Sequence, residues 1–142
     1  MLDHVTIGIT DVKRSKQFYD RALRPLGITR LYAEGEWAAG YGVRPRAFFW
    51  IGLKAEPQTG AHIAFAAADR ATVDRFHEEA IVAGGRDNGV PGRRPHCHAN
   101  YYGAFVLDPD GHNRSGLSRA AGITCVNPRD REANGPRPCP PQ

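Results

Sequence analysis

The sequence predicts an α+β fold built from two equivalent modules, and an internal repeat is the main reason. Segment 62–85 repeats segment 4–27 at one constant offset and without a gap, so that His62 corresponds to His4. Each copy opens with the alternation typical of a strand and continues with apolar residues at helical spacing. A strand followed by an amphipathic helix, found twice, indicates two modules packed in one domain.

The first module contains one strand, one helix and three further strands. Val5, Ile7 and Ile9 share one face of the first strand, whereas His4 opens the other face among small residues. Asp11 is the predicted N-cap of a helix that runs to about Leu26. Turn residues then separate three shorter predicted strands at 28–34, 37–42 and 47–53.

The second module begins in the same way and then departs from the first. Its opening strand has His62, Ala64 and Ala66 on the open side, and a helix is predicted from Asp69 to about Ala83. The sequence then predicts a Gly- and Pro-rich loop, a strand and a turn without a catalytic role, at 87–100, 101–107 and 108–111 respectively.

These elements define one domain over residues 1–121, with module one at 1–56 and module two at 60–119. Residues 122–142 contain five of the eleven prolines and little apolar periodicity, which predicts a disordered tail. A body with 14 Lys and Arg against 13 Asp and Glu in residues 1–113 is nearly neutral. The basic residues of the tail lack the aromatic interleaving of a nucleic-acid site, so no nucleic-acid partner is expected.

The composition is that of a globular protein, with 41% hydrophobic and 24% charged residues. No stretch has the length of a membrane span and no secretory signal opens the chain, so a cytoplasmic protein without a membrane partner is expected. Three cysteines at unrelated spacings argue against a disulfide framework.

The repeat, the opening LDHVTIGITDVKRSKQFYDRALRPLG and the later YYGAFVLDPDGHN resemble the glyoxalase/bleomycin-resistance/extradiol-dioxygenase superfamily, the vicinal oxygen chelate fold. The resemblance covers residues 1–113. It implies two βαβββ modules whose mixed sheets form a cupped, barrel-like hollow around a small molecule, with the helices outside. It also implies a homodimer.

Metal enzymes of this superfamily hold a divalent ion such as Fe, Mn, Ni or Zn with a histidine from the first strand of each module and a glutamate from the last strand. The resemblance therefore assigns His4 and His62 as metal ligands. Ser115 stands at the position of the glutamate, and Trp50 stands near the position of an optional second acid. Two imidazoles without a carboxylate leave the charge of the ion uncompensated. A pair of core histidines bonded to the backbone is the alternative.

Other candidates lie in or near the predicted hollow. We predict that Tyr102 and His98 handle protons or orient the ligand. Four residues are predicted to contact a small, partly polar substrate: Trp50, Tyr101, His96 and Arg94. The alternative for the arginine and the two histidines is a solvated loop. The alternative for Trp50, Tyr101 and Tyr102 is a place among the core aromatic residues.

The sequence after Asn113 departs from the superfamily. Deleting two nucleotides from one plausible coding of a typical continuation, NIEAVCH, yields NRSGLSR, which is the sequence found here. We therefore hypothesise that a shifted reading frame replaced the final strand and its carboxylate with an unselected tail.

The leading functional hypothesis is a glyoxalase- or dioxygenase-like enzyme, impaired by loss of the carboxylate ligand. Its chemistry would be that of a lyase, an isomerase or a dioxygenase. The alternative is a metal-free protein that binds a drug or metabolite, as in the bleomycin-resistance branch. A third hypothesis is that the protein is a defective product, retained only as a scaffold.

Overall fold

The computed structural model describes residues 2–56, 60–95 and 100–118, which form two modules with the same order of elements. Module one comprises β1 (Val5–Ile9), α1 (Val12–Ala22), β2 (Thr29–Glu34), β3 (Ala38–Val43) and β4 (Arg46–Leu53). Module two comprises β5 (His62–Ala66), α2 (Arg70–Val82), β6 (Arg86–Arg93), β7 (Tyr102–Leu107) and β8 (Asn113–Ser118). The predicted tail at 122–142 lies outside the described residues.

Each module forms one four-stranded mixed sheet, with the strand orders β1-β4-β3-β2 and β5-β8-β7-β6. The first and last strands of each module pair in parallel, and the other neighbours pair antiparallel. The sheets are curved but do not close into a barrel. The predicted α+β class and two-module architecture are confirmed.

Both helices begin at the predicted aspartates. The Asp11 carboxylate accepts the amide of Arg14 at 2.9 Å, and the Asp69 carboxylate accepts that of Thr72 at 2.7 Å. Such N-caps satisfy amides that have no partner within the helix. The hydrogen bond from Thr72 also lowers the pKa of Asp69 below its usual value.

The first helix ends four residues earlier than the sequence predicted, at Ala22 instead of Leu26. Residues Arg24–Leu26 form a 3₁₀ turn, because Pro25 lacks the amide that a continued helix would need. Gly27 then adopts a left-handed conformation with φ of 72°. A glycine reaches this conformation without steric cost, which explains its place at the helix end.

The buried side of both sheets and both helices form one continuous apolar core. Phe49 on β4 and Phe65 on β5 meet across the module boundary, with ring centroids 5.3 Å apart. Both helices lie on this side, so each sheet has an opposite face that they leave uncovered. We call these two surfaces the open faces.

Strand β6 corrects the prediction of a loop at 87–100. Glycines and Pro91 gave the segment its loop-like composition, yet Arg86–Arg93 pair with β7 through two irregularities in register. Proline is compatible with an edge strand, because one side of such a strand needs no amide donor. Gly89, with φ of 152°, lies between these irregularities.

Strand β8 corrects the prediction that the final strand had been replaced. Residues Asn113–Ser118 pair with both β5 and β7. A Cβ added to Gly116 would lie 2.8 Å from the ring of Phe76 on α2, so the strand approaches the helix closely at this point. The reading-frame hypothesis therefore concerns the origin of this sequence and not the loss of the strand.

The turn between β7 and β8 docks module two onto module one. Asp108 is 2% exposed and accepts a hydrogen bond from the hydroxyl of Tyr19 on α1. The Asp110 carboxylate accepts the amide and the hydroxyl of Thr10, which follows β1. Sequence analysis treated this segment as a simple turn and missed its contacts with module one.

His112 and Arg114 continue the same alternating pattern. His112 donates from Nε2 to the carbonyl of Gly8 on β1 at 2.8 Å. Arg114, 1% exposed, donates from Nε to the Tyr19 hydroxyl at 3.0 Å, and its Nη2 lies 3.2 Å from a carboxylate oxygen of Asp108. We call Asp108, Asp110, His112 and Arg114 the seam. A charge buried this deeply is tolerated only when it is paired.

Candidate functional site

The open face of module one carries an aligned row of four residues, one from each strand. The strand register places Thr6 beside Trp50, Trp50 beside Gly40, and Gly40 beside Tyr32. Neighbouring strands lie about 4.8 Å apart, so side chains in such a row contact one another.

Trp50 and Tyr32 form an aromatic shelf that depends on the glycine between them. A Cβ added to Gly40 would lie 2.9 Å from two carbons of the Trp50 indole, which therefore lies against bare backbone. The Tyr32 ring stacks on the indole with centroids 5.6 Å apart and an interplanar angle of 15°. Tyr32 remains 47% exposed, so the shelf is accessible from solvent.

Polar groups border this shelf on the side of the N-terminal segment. His4 donates from Nδ1 to the Asp3 carboxylate at 3.0 Å, and Arg46 donates from Nη2 to its other oxygen at 2.5 Å. The hydrogen bond from His4 and the charge of Arg46 hold the pKa of Asp3 below its usual value. A cation, an anion and an imidazole thus lie next to the aromatic shelf.

Shelf and border together line a cavity of about 440 Å³. This volume lies within the range of small-molecule pockets, roughly 300–1,000 Å³. A larger depression of about 580 Å³ runs beside α1 among Lys13, Asp20 and Glu36, but the described residues predicted for the site lie elsewhere. We take the cavity on the open face as the candidate site because aromatic and polar groups converge there.

The structure brings two of the predicted residues together here, since His4 and Trp50 both line the cavity. Three further residues were missed by sequence analysis: Asp3, Tyr32 and Arg46. The signal for Tyr32 was its place on a predicted strand of the first module. Its alignment with Trp50 depends on a register shift between Arg30 and Tyr32, which composition does not reveal.

His62 and Arg94 lie against Phe105 of module two. The His62 ring meets Phe105 edge-on with centroids 5.9 Å apart, and the Arg94 guanidinium lies 5.7 Å from the same ring. Arg94 also donates from Nη2 to the carbonyl of Val90 at 2.7 Å. Phe105 is 1% exposed, in contrast to the accessible shelf of module one.

Tyr102 lies on the helix side of its sheet. Its hydroxyl donates to the Asp74 carboxylate on α2 at 2.7 Å, and this hydrogen bond raises the pKa of Tyr102 above its usual value. The guanidinium of Arg70 lies 5.4 Å from the same ring. Tyr101 is buried, at 1% exposure. The catalytic role of Tyr102 and the substrate contact of Tyr101 stay predictions.

His96 and His98 lie outside the described residues, and their predicted roles are not addressed by the structure.

Among the described residues, the donor set on the open faces does not fit a divalent metal ion. Within the described ranges, no group of three or more His, Cys, Asp or Glu side chains is arranged to hold one. Register places Trp50 beside Thr6 and Ser115 beside Ala64, which are equivalent positions in the repeat. An indole packed on Gly40 thus stands at one expected acid position and a serine residue at the other. Metal ligation by His4 and His62 stays a prediction.

A family model described as "Glyoxalase/Bleomycin resistance protein/Dioxygenase superfamily" matches residues 1–113. The chain belongs to this superfamily. The matched region ends at Asn113. Sequence analysis expected the chain to depart from the family after this residue. A comparison with curated proteins finds no match.

Solved structures agree with this assignment. The superfamily protein is similar to a glyoxalase/bleomycin resistance protein from Albidiferax ferrireducens, with 31% identity, a TM-score of 0.70 and coverage of 82% of this chain and 97% of that one. A glyoxalase-related enzyme from Fulvimarina pelagi has 19% identity and a TM-score of 0.68, with coverage of 89% and 98%. The fosfomycin resistance protein FosX from Mesorhizobium loti has 20% identity and a TM-score of 0.60, with coverage of 84% and 92%. The latter two share the fold.

No helix in the described part of the superfamily protein combines the length and apolarity needed to cross a membrane.

Proposed function

We propose that this protein binds a planar aromatic small molecule on the open face of module one, and that binding needs no metal ion. The observation that carries the proposal is the exposed shelf of Trp50 and Tyr32 beside His4. Aromatic rings stacked in this way contribute about 0.5–1.5 kcal/mol beyond the area they bury. A flat ligand can extend the stack on the exposed side of Tyr32.

The cavity walls support recognition as well as stacking. Thr6, His4 and Arg46 supply hydrogen-bond donors, and Asp3 supplies a carboxylate, at the border of the aromatic shelf. A few polar groups around an apolar floor are typical of ligand pockets, where the polar groups fix orientation. The metal-free binding protein considered from the sequence is therefore favoured over the metal-dependent enzyme.

Fluorescence of Trp50 provides the test. The chain has two tryptophans, and Trp37 is 73% exposed, so Trp37→Phe leaves Trp50 as the single reporter. We expect naphthamide, a neutral planar probe, to quench this emission saturably. Tyr32→Ala should weaken binding by at least about tenfold, because it removes the stacking surface.

The matched control is Val90→Ala, which also truncates an exposed side chain but lies on β6 of module two. It should leave the affinity unchanged. Absence of saturable quenching, or equal affinity in Tyr32→Ala and its parent, would contradict the proposal.

Metal content separates this function from the metal-dependent lyase, isomerase or dioxygenase alternative. We expect elemental analysis to find less than one divalent ion per chain, and naphthamide binding to survive chelation. An ion at one per chain that is lost in His4→Ala would favour the enzyme instead. Ser115→Glu, which supplies the missing carboxylate, is expected to raise metal affinity.

The homodimer implied by the family belongs to the same proposal. Sedimentation equilibrium of the full chain tests it directly, and a mass of one chain across the concentration range would contradict it.

A further inference from the structure

The carboxylate of Asp3 lies between two donors at the edge of the cavity. One of its oxygens is 3.0 Å from Nδ1 of His4, and the other is 2.5 Å from Nη2 of Arg46. The same arginine nitrogen also donates to the backbone carbonyl of Asp3 at 3.2 Å. The arrangement is that of an anion site already occupied by a residue of the protein.

This anion site adjoins the aromatic shelf. Asp3, His4 and Arg46 line the cavity together with Tyr32 and Trp50. Asp3 supplies the one carboxylate among the described lining residues, whereas Arg46 supplies the one cation. A ligand that stacks on the shelf therefore meets an anion-binding group at its edge.

Asp3 is positioned to leave this site. It precedes β1, outside the strand ladder, and its side chain is 75% exposed while that of Arg46 is 56% exposed. Exposed ion pairs contribute little net stability, so exchanging one carboxylate for another costs little. The planar guanidinium fork of arginine matches any carboxylate in the same geometry.

We propose that the ligand is a planar aromatic acid, whose carboxylate displaces that of Asp3 between Arg46 and His4 while its ring stacks on Tyr32. This inference rests on the proposed function of the cavity. Asp3 then acts as an internal competitor that holds the two donors in place when the ligand is absent. Aromatic acids are selected over neutral rings because their carboxylate pairs with both donors while the ring stacks, whereas a neutral ring leaves Asp3 in place and only stacks.

Calorimetric titration with naphthoate and naphthamide tests the inference. These probes share one ring system and differ in the charge of the substituent. We expect naphthoate to bind about fivefold or more tightly than naphthamide, in line with one charge pair at a solvated site. Arg46→Gln should remove this preference, so that the ratio of the two affinities falls to about one.

Asp3→Asn is the sharper variant, because its effect has the opposite sign. Removing the competitor should tighten naphthoate binding several-fold and so raise the ratio of naphthoate to naphthamide affinity. Glu78→Gln removes the same charge from an exposed position on α2 and is the matched control. It should change neither affinity.

The outcomes distinguish this inference from the proposed function. Equal binding of the two probes, or naphthoate binding that is unchanged in Asp3→Asn, overturns the inference and leaves a neutral aromatic site in place. Failure of both probes to bind overturns the inference and the proposed function together.

Discussion

The two modules share one backbone plan but use their open faces differently. In module one the row across the sheet is Thr6, Trp50, Gly40 and Tyr32. The equivalent row in module two is Ala64, Ser115, Phe105 and Gly89. Module one has glycine on β3 and an aromatic residue on the edge strand β2. Module two has the reverse, with an aromatic residue on β7 and glycine on the edge strand β6.

The reversal decides which face is accessible. Because β3 carries Gly40, the rings of Trp50 and Tyr32 on either side meet above it, and Tyr32 remains 47% exposed. Because the equivalent strand β7 carries Phe105, Arg94 and His62 lie against its ring, and Phe105 is only 1% exposed. A duplicated scaffold thus yields one aromatic shelf and one covered ring, depending on where the glycine stands.

The largest expected effect comes from breaking the seam that holds the two modules together. Arg114→Met leaves the buried Asp108 carboxylate without its cation, and we expect a loss of about 3–5 kcal/mol in the free energy of unfolding. Denaturant titration measures this loss. Adding Asp108→Asn should recover part of it, since the charge disappears while an acceptor remains. A loss below about 1 kcal/mol in the single variant would contradict the buried pairing.

Alkaline pH should weaken the protein through module one. Burial raises the pKa values of the Tyr19 and Tyr41 hydroxyls well above the usual value of about 10. Below pH 10 the phenols are protonated in both the folded and the unfolded chain. As pH rises above 10 only the unfolded chain releases these protons, so stability falls, by about 3 kcal/mol for the two residues at pH 11.

Denaturant titrations between pH 8 and pH 11 measure this loss. Tyr41→Phe should roughly halve it, because one of the two protons no longer contributes. An identical pH dependence in the variant would show that this phenol is not shielded in the folded chain.

Adding a methyl group under the shelf tests the contrast between the open faces directly. Gly40→Ala forces the Trp50 indole off the strand, and we expect a loss of about 2 kcal/mol in unfolding free energy. Naphthamide binding should weaken as well. Gly52→Ala is the matched control, because its Cβ would lie 3.8 Å from Thr6, an ordinary contact. Equal effects of the two variants would contradict the close approach of the indole.

The smallest effect is expected at the surface contact between the modules. Arg21 on α1 and Glu79 on α2 form an ion pair of 2.5 Å, with side chains 46% and 27% exposed. Arg21→Met should therefore cost only about 0.5 kcal/mol in unfolding free energy. Comparison with Arg114→Met separates the contributions of exposed and buried charge across one boundary. A cost similar to that of Arg114→Met would contradict the distinction.

The repeat carried most of the fold prediction, because it relates whole elements. It predicted both N-caps and the glycine that ends the first helix, and these are confirmed. The prediction was wrong at β6 and β8, where local composition misleads. Pro91 favours a loop, because the sequence does not show that its segment is an edge strand. Arg114 favours an exposed position, because the sequence does not show that Asp108 and Tyr19 pair with it in the core.

The candidate site was predictable only in part for a related reason. Residue type singled out Trp50, whereas the repeat and the family resemblance singled out His4. Tyr32, Gly40 and Arg46 owe their importance to strand register and to the turn before β4. Register depends on pairings between strands and on a local irregularity, so spacing along the chain did not reveal these residues.

Gly40 and Trp50 constrain each other's evolution. A larger residue at position 40 collides with the indole, and a small residue at position 50 leaves bare backbone and a tyrosine without its support. Neither position can drift alone without loss, so the two should be replaced together or be retained together in descendants of this sequence. Gly40 and Trp50 are therefore inherited together, and replacing them without loss of stability would require two nearly simultaneous substitutions.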